Sequence, residues 1–212
     1  MDSKPPSLTE RRKTVTQFEI ARAAAQLFAD RGADAVTAEE IARHAQVSVR
    51  TFYRYFSSKE DAVAPLLTVG AGHWRAILAA AGPGEEPLDA IDRAIVEVLT
   101  PRNDDDVEEL RWTLGLLRAM EEDPALQVVW YRVNGESEVQ LREVVASLAG
   151  PQADPFAVRL LAAAATDAMR VALETCAADG WPLADVGQPA VLASRALREL
   201  AGGLRLRVGA AK

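Results

Sequence analysis

The stretch that most constrains this chain runs from Thr37 to Lys59, where two short helical patterns meet at a tight corner. Thr37 can cap the first, and Glu40 three residues on closes a capping box. Ile41, Ala42 and Ala45 share one face of that helix. Gln46-Val47-Ser48 makes the turn, and Ser48 is a good N-cap for a second helix. Val49, Phe52 and Phe56 anchor this second helix, while Arg50, Thr51, Tyr53, Arg54 and Tyr55 look mostly elsewhere. A helix pinned by phenylalanines that shows guanidinia, hydroxyls and phenols outward is suited to touch something polar and charged. That is the pattern of a DNA-reading helix-turn-helix.

A support helix over about Thr14 to Arg31 precedes the motif, with Phe18, Ala21, Ala25 and Phe28 as its buried stripe and Gly32 as its stop. Residues 1–8 read as a disordered lead-in. The basic arm at 9–13, with Arg11, Arg12 and Lys13, reads either as a phosphate or minor-groove contact or as a solvated tail. Together these segments resemble the N-terminal domain of the TetR family of transcriptional regulators. The resemblance is carried by Ala25-Gln26-Leu27-Phe28-Ala29-Asp30-Arg31-Gly32, by Val36 to Ala42, and most specifically by Val47 to Glu60 with its Thr-Phe-Tyr-x-x-Phe-x-x-Lys run. The family usually has Gly where Gln46 stands, at a corner that often needs positive φ.

A net charge of −7 looks wrong for a DNA binder until its distribution is read. Residues 1–60 hold 10 Lys+Arg against 8 Asp+Glu, and residues 61–212 hold 14 against 23. A small basic unit joined to an acidic body fits, because only the face near the phosphates needs positive potential. The lone Cys176 excludes a disulfide framework within the chain and a multi-cysteine metal site. No apolar run is read as membrane-spanning and the N-terminus is no signal peptide, so a cytoplasmic protein is expected. Two histidines, one cysteine and no glycine-rich phosphate loop leave no catalytic constellation, no metal site and no cofactor to expect.

The remainder reads as helix after helix, with no convincing strand alternation. The expected fold is therefore all-α, with an N-terminal three-helix unit over residues 1–56 and a larger C-terminal helical domain over 57–212. A fourth helix, capped at Ser58, should run to about Ala81, bent by Pro65 and softened by Gly70 and Gly72 into either a hinge or a merely irregular connector. Helices should follow from Leu88 to Leu99, from the Asp104–Asp106 cluster to near Glu122, and from Pro124 to about Leu148. Pro155 to about Asp179 is apolar nearly all round, as befits a helix buried on both sides, and a last helix spans about Pro189 to Arg207. These two C-terminal helices, paired with their symmetry mates, would give a four-helix homodimer interface, and the resemblance implies the same.

For duplex DNA, the N-terminal turn of the second motif helix points Val49, Arg50 and Arg54 at base edges. Thr37, Ser48, Thr51, Tyr53, Tyr55 and Lys59 complete the expected interface, Thr51, Tyr53 and Lys59 by match to family positions as phosphate contacts. His44 belongs on the surface of the preceding helix. An effector pocket for a small apolar or amphipathic molecule could draw on Trp74, Trp112, Leu116, Met120, Trp130, Tyr131, Asn134 and Met169, each of which could equally be plain core. His73 is the one side chain near them that would titrate near neutral pH. The expected function is a ligand-responsive repressor released from a palindromic operator. An activator or ligand-independent regulator of the same fold stays open, as does a small all-α enzyme or binding module.

Overall fold

In the computed structural model, residues 7–81, 85–178 and 187–202 are described. They form an all-α protein of nine α-helices and one 3-10 turn among the described residues. The N-terminal unit comprises α1 (Leu8–Arg31), α2 (Ala38–His44) and α3 (Val49–Tyr55). A 3-10 turn, Glu60–Val63, leads into α4 (Ala64–Ala79), followed by α5 (Pro87–Leu99), α6 (Asp104–Glu122), α7 (Pro124–Ala149), α8 (Pro155–Ala178) and α9 (Gln188–Ala201).

Helix α1 starts earlier than its apolar stripe suggests. Ser7 accepts from the Glu10 N–H at 3.2 Å while Glu10 accepts from the Ser7 N–H at 2.6 Å, a capping box that sets the start at Leu8. Residues 9–13 are therefore helical turns of α1, not an extended arm. The same device starts α2 at Thr37–Glu40, and Ser48 caps α3 by accepting from the Thr51 N–H at 3.1 Å. Ile20, Ala24 and Phe28 from α1, Ile41 from α2 and Phe52 from α3 are fully buried in one cluster. Helices this short are marginal alone, so that cluster holds them.

Pro65 does not bend α4. The chain spends Glu60–Val63 on a tighter 3-10 turn and restarts at Ala64, which puts the proline in the first helical turn, where its missing N–H has no intrahelical partner to lose. The stretch Glu60–Ala79 passes a test of length and hydropathy for a membrane span, contrary to the expectation from the sequence, yet it packs in the body against α1, α5 and α7. Asn103, which the sequence reading passed over in favour of the aspartates after it, is the cap of α6 and accepts from the Asp106 N–H at 2.9 Å. Asp123 caps α7 through the N–H groups of Ala125 and Leu126.

The body is layered. α8 pairs with α9, α9 packs on α5, and α7 lies between α8 and α4. Its core includes Leu78, Ile91, Leu116, Leu141, Leu161 and Leu197. Within one chain α8 buries one side and leaves the other open: Phe156 and Val171 are exposed, with Arg159 and Asp167 on the same outer side. Residues 203–207, assigned from the sequence to the last helix, lie outside the described residues. The N-terminal unit meets the body along α1 and α6, where a Cβ built on Gly115 would come within 3.0 Å of the Ala29 Cβ. Arg132 of α7 also reaches the Asp61 carboxylate at 2.8 Å, just past the motif.

Candidate nucleic-acid interface and internal cavity

The turn between α2 and α3 is built on Gln46 at φ 55°, a left-handed conformation without the glycine that makes it cheap. The Val47 N–H donates to the Ala42 carbonyl and closes the corner. From there α3 is oriented by Phe52, against whose ring Tyr53 packs edge-on at 5.3 Å.

Within this frame the expected contact residues separate into two sets. Arg50 is exposed and has no hydrogen-bond or ion-pair partner among the described residues; Tyr53 is exposed, its hydroxyl equally unengaged among them. These two are free to reach outward. The others carry local bonds. Ser48 and Thr51 share their hydroxyls at 2.9 Å, and Thr37 is occupied in its capping box. Arg54 lies over the Tyr55 ring, 4.8 Å from its centroid, and donates to the Tyr55 hydroxyl at 3.2 Å. Val49 is half-buried against the core.

Lys59 is the most committed. Its ammonium donates to the Ala33 carbonyl at 2.7 Å and the Val36 carbonyl at 3.0 Å, with Glu60 at 3.7 Å. It fastens the end of the motif to the loop after α1, and at most one N–H direction is left for a phosphate. His44 is exposed on the last turn of α2. Glu40, in the box that starts α2, is held below the ordinary glutamate range by the Thr37 backbone N–H and then by the Arg31 guanidinium.

A cavity of about 750 Å³ lies among α1, α4, α6, α7 and α8, within the size range of small-molecule sites. Six of the eight residues read from the sequence line it: Trp74, Trp112, Leu116, Trp130, Asn134 and Met169. Met120 and Tyr131 do not. Met120 is buried in the core away from it, and Tyr131 lies on the outer side of α7 under the Arg170 guanidinium. His73 lines the cavity and is exposed.

Sequence reasoning missed two walls. Phe18, Arg22 and Ala25 come from α1, so the helix that supports the motif also borders the cavity. The corner from Glu97 to Arg102 and the first turns of α6 line it as well. Neither shows a local signal, because both depend on which helices the fold brings together. Gly115 did carry one, a glycine inside an apolar helical run. Gly135, the glycine inside α7, is different: a Cβ there would meet nothing within 4 Å.

Residues 20–64 match the family model described as bacterial regulatory proteins, tetR family, and residues 85–205 match the MftR C-terminal domain. The HTH-type transcriptional regulator TcmR of Streptomyces glaucescens is 32% identical over 152 residues, covering 70% of this chain and 67% of TcmR. Among solved structures, a tetR family transcription regulator from Shewanella sp. PV-4 superposes with a TM-score of 0.58 at 16% identity, over 91% of this chain and 99% of the other. A TetR regulator from Rhodococcus sp. RHA1 gives 0.53 at 18%, over 92% and 99%. These two likenesses concern the fold. A regulator of transcription works where the chromosome is, which places the chain inside the cell. With one family model over the motif, a second over more than half the chain and a relative matched along most of its length, the chain belongs to the TetR family of DNA-binding transcriptional regulators, a family without enzymatic activity.

Proposed function

We propose that the protein is a homodimeric repressor whose α3 helices read a palindromic operator and whose internal cavity takes a small apolar or amphipathic effector that releases the DNA. The observation that carries the reading is the division of labour on α3: Phe52 is fully buried, while the Arg50 guanidinium and the Tyr53 hydroxyl stand outward with no hydrogen-bond partner among the described residues. Arg50 is suited to bidentate contact with guanine, and Tyr53 to a phosphate. Thr37, Ser48, Val49, Thr51, Arg54, Tyr55 and Lys59 border the same surface. Lys59 acts there chiefly by holding the motif against the loop after α1.

Dimerisation through α8 and α9 is supported by the apolar residues they leave uncovered. Phe156 is 67% exposed, and Val191 and Leu200 are more than half exposed. In a dimer that reads a palindrome the two α3 helices would enter successive major grooves, about 34–36 Å apart. The effector reading is supported by the cavity's position: its walls belong partly to α1, so a molecule that fits only one spacing of the N-terminal units would shift the population toward it. A cytoplasmic location follows.

Titration of labelled upstream DNA tests this. Expected is salt-sensitive binding, weakened across all sequences by Tyr53→Ala and changed at particular base pairs by Arg50→Ala. Binding that ignores both substitutions contradicts the reading.

A further inference from the structure

How firmly a reading helix is aimed depends on how the unit that carries it is joined to the body. Two of the joining contacts differ in kind. On α6, Gly115 lies so close to Ala29 of α1 that a Cβ built on it would come within 3.0 Å. That contact is apolar and without direction, so it sets a distance and leaves rotation about itself open. On α7 the contact is charged. Arg132 Nη2 donates to Asp61 Oδ1 at 2.8 Å, and among the described residues this is the one ion pair that joins residues 7–63 to the helices of the body.

Both ends of the pair are held in place. Arg132 rises from a stretch of α7 fixed by the buried Leu126, Val129, Val133 and Leu141, with Glu136 at 3.8 Å from its Nη1. Asp61 sits in the 3-10 turn between α3 and α4, where its Oδ2 accepts from the Ser57 hydroxyl and its N–H donates to Ser58 Oγ at 3.1 Å. Ser57 directly follows Phe56, the buried residue that ends α3. One carboxylate therefore links the C-terminal end of the reading helix to α7. A charge-assisted hydrogen bond is directional, which the Gly115 contact is not. The side chains of Arg132 and Asp61 are 45% and 31% exposed, and pairs so open to solvent add little to folding. This one is better placed to select an orientation than to stabilise the fold.

We propose that Arg132 is a positioning residue for operator recognition: it grips Asp61, sets the angle at which each α3 leaves the body, and so fixes the half-site spacing that a dimer accepts. This rests on the reading of the protein as a dimer on a palindrome and adds what sets the spacing.

The test uses the full-length protein and three duplexes: the palindrome that native protein selects from a random pool, the same half-sites moved one base pair further apart, and a single half-site. Native protein should favour the selected spacing over the shifted one by about tenfold or more. Arg132→Ala should cut that preference about threefold to tenfold, because each dimer loses two pairs, with affinity for the single half-site kept within about twofold. Its melting temperature should fall by no more than about 3 °C. Tyr53→Ala, which removes a contact, should instead weaken all three duplexes alike. Asp61→Ala should reproduce the loss of spacing preference, and the double variant should lose no more than either single one, as partners in one interaction do. Losses in Arg132→Ala that are equal on all three duplexes, or additive losses in the double variant, overturn the proposal. A native preference for spacing that Arg132→Ala keeps intact overturns the tie alone. Native protein that selects no palindrome, or binds both spacings equally, overturns the dimeric reading together with it.

Discussion

The two halves of this molecule are held together in different ways. The N-terminal unit is fastened within its first sixty residues: two capping boxes and a Ser48 cap act locally, while the Lys59 tie to two carbonyls and Phe52 driven into the cluster close it on α1 and the loop after it. The body relies on long helices packed across the chain, and with α1 it lines a cavity that no local segment defines. A unit built from local contacts presents the same surface in every state of the protein. A body built from long-range packing has room to hold two arrangements, and the interface where α6 approaches α1 at Gly115 is where they would be communicated.

The sharpest way to break this contrast is Phe52→Ala. Loss of the fully buried ring should cost about 3–5 kcal/mol, enough to melt the N-terminal unit below the transition of the body. Differential calorimetry should then show two transitions, with DNA binding gone; a single transition near the native temperature would contradict local fastening. Next, Arg50→Ala should cost about 1–3 kcal/mol of discrimination at one base pair per half-site and leave thermal stability within about 0.5 kcal/mol. Lys59→Ala should show the opposite balance, losing about 1–2 kcal/mol of stability because two carbonyls lose a charged donor. Denaturant titration beside DNA titration separates the two.

Smaller effects sharpen the picture. Gln46→Gly removes a left-handed residue from the corner and should stabilise the protein by up to about 1 kcal/mol in thermal melts. The smallest concerns pH. Glu40 is depressed below its ordinary 4.5 by hydrogen bonds made to the charged form, so its contribution is fully present above 4.5 and fades as the pH falls through the folded value. Melting curves of the native protein and Glu40→Gln should therefore differ at neutral pH and converge in acid.

What was legible in the sequence follows the same division. The corner, its caps and the buried face of α3 lie within twenty-odd consecutive residues, and each element has its own signal. So do most helix limits in the body, because Asp123-Pro124 and Asp154-Pro155 announce their helices locally. The start of α1 was missed because Ser7-x-x-Glu10 is a capping box hidden in a polar lead-in. Pro65 was misread because a 3-10 turn, invisible to a 3.6-residue period, comes before it. Lys59 is expected from the sequence as a phosphate contact, and nothing local says that two carbonyls 23 and 26 residues earlier will also hold its ammonium. The tryptophans of the cavity could be named, but its α1 wall and the lining from the α5–α6 corner could not, because they depend on which helices come to lie side by side.

The most direct measurement is selection of bound duplexes from a random pool by the native protein and by Arg50→Ala. The native protein should return a palindrome with half-sites about one helical turn apart, and Arg50→Ala should relax one base pair in each half while keeping the spacing. Enrichment without two-fold symmetry, or a motif unchanged by the loss of Arg50, would contradict the assignment of the outward face of α3 as the reading surface.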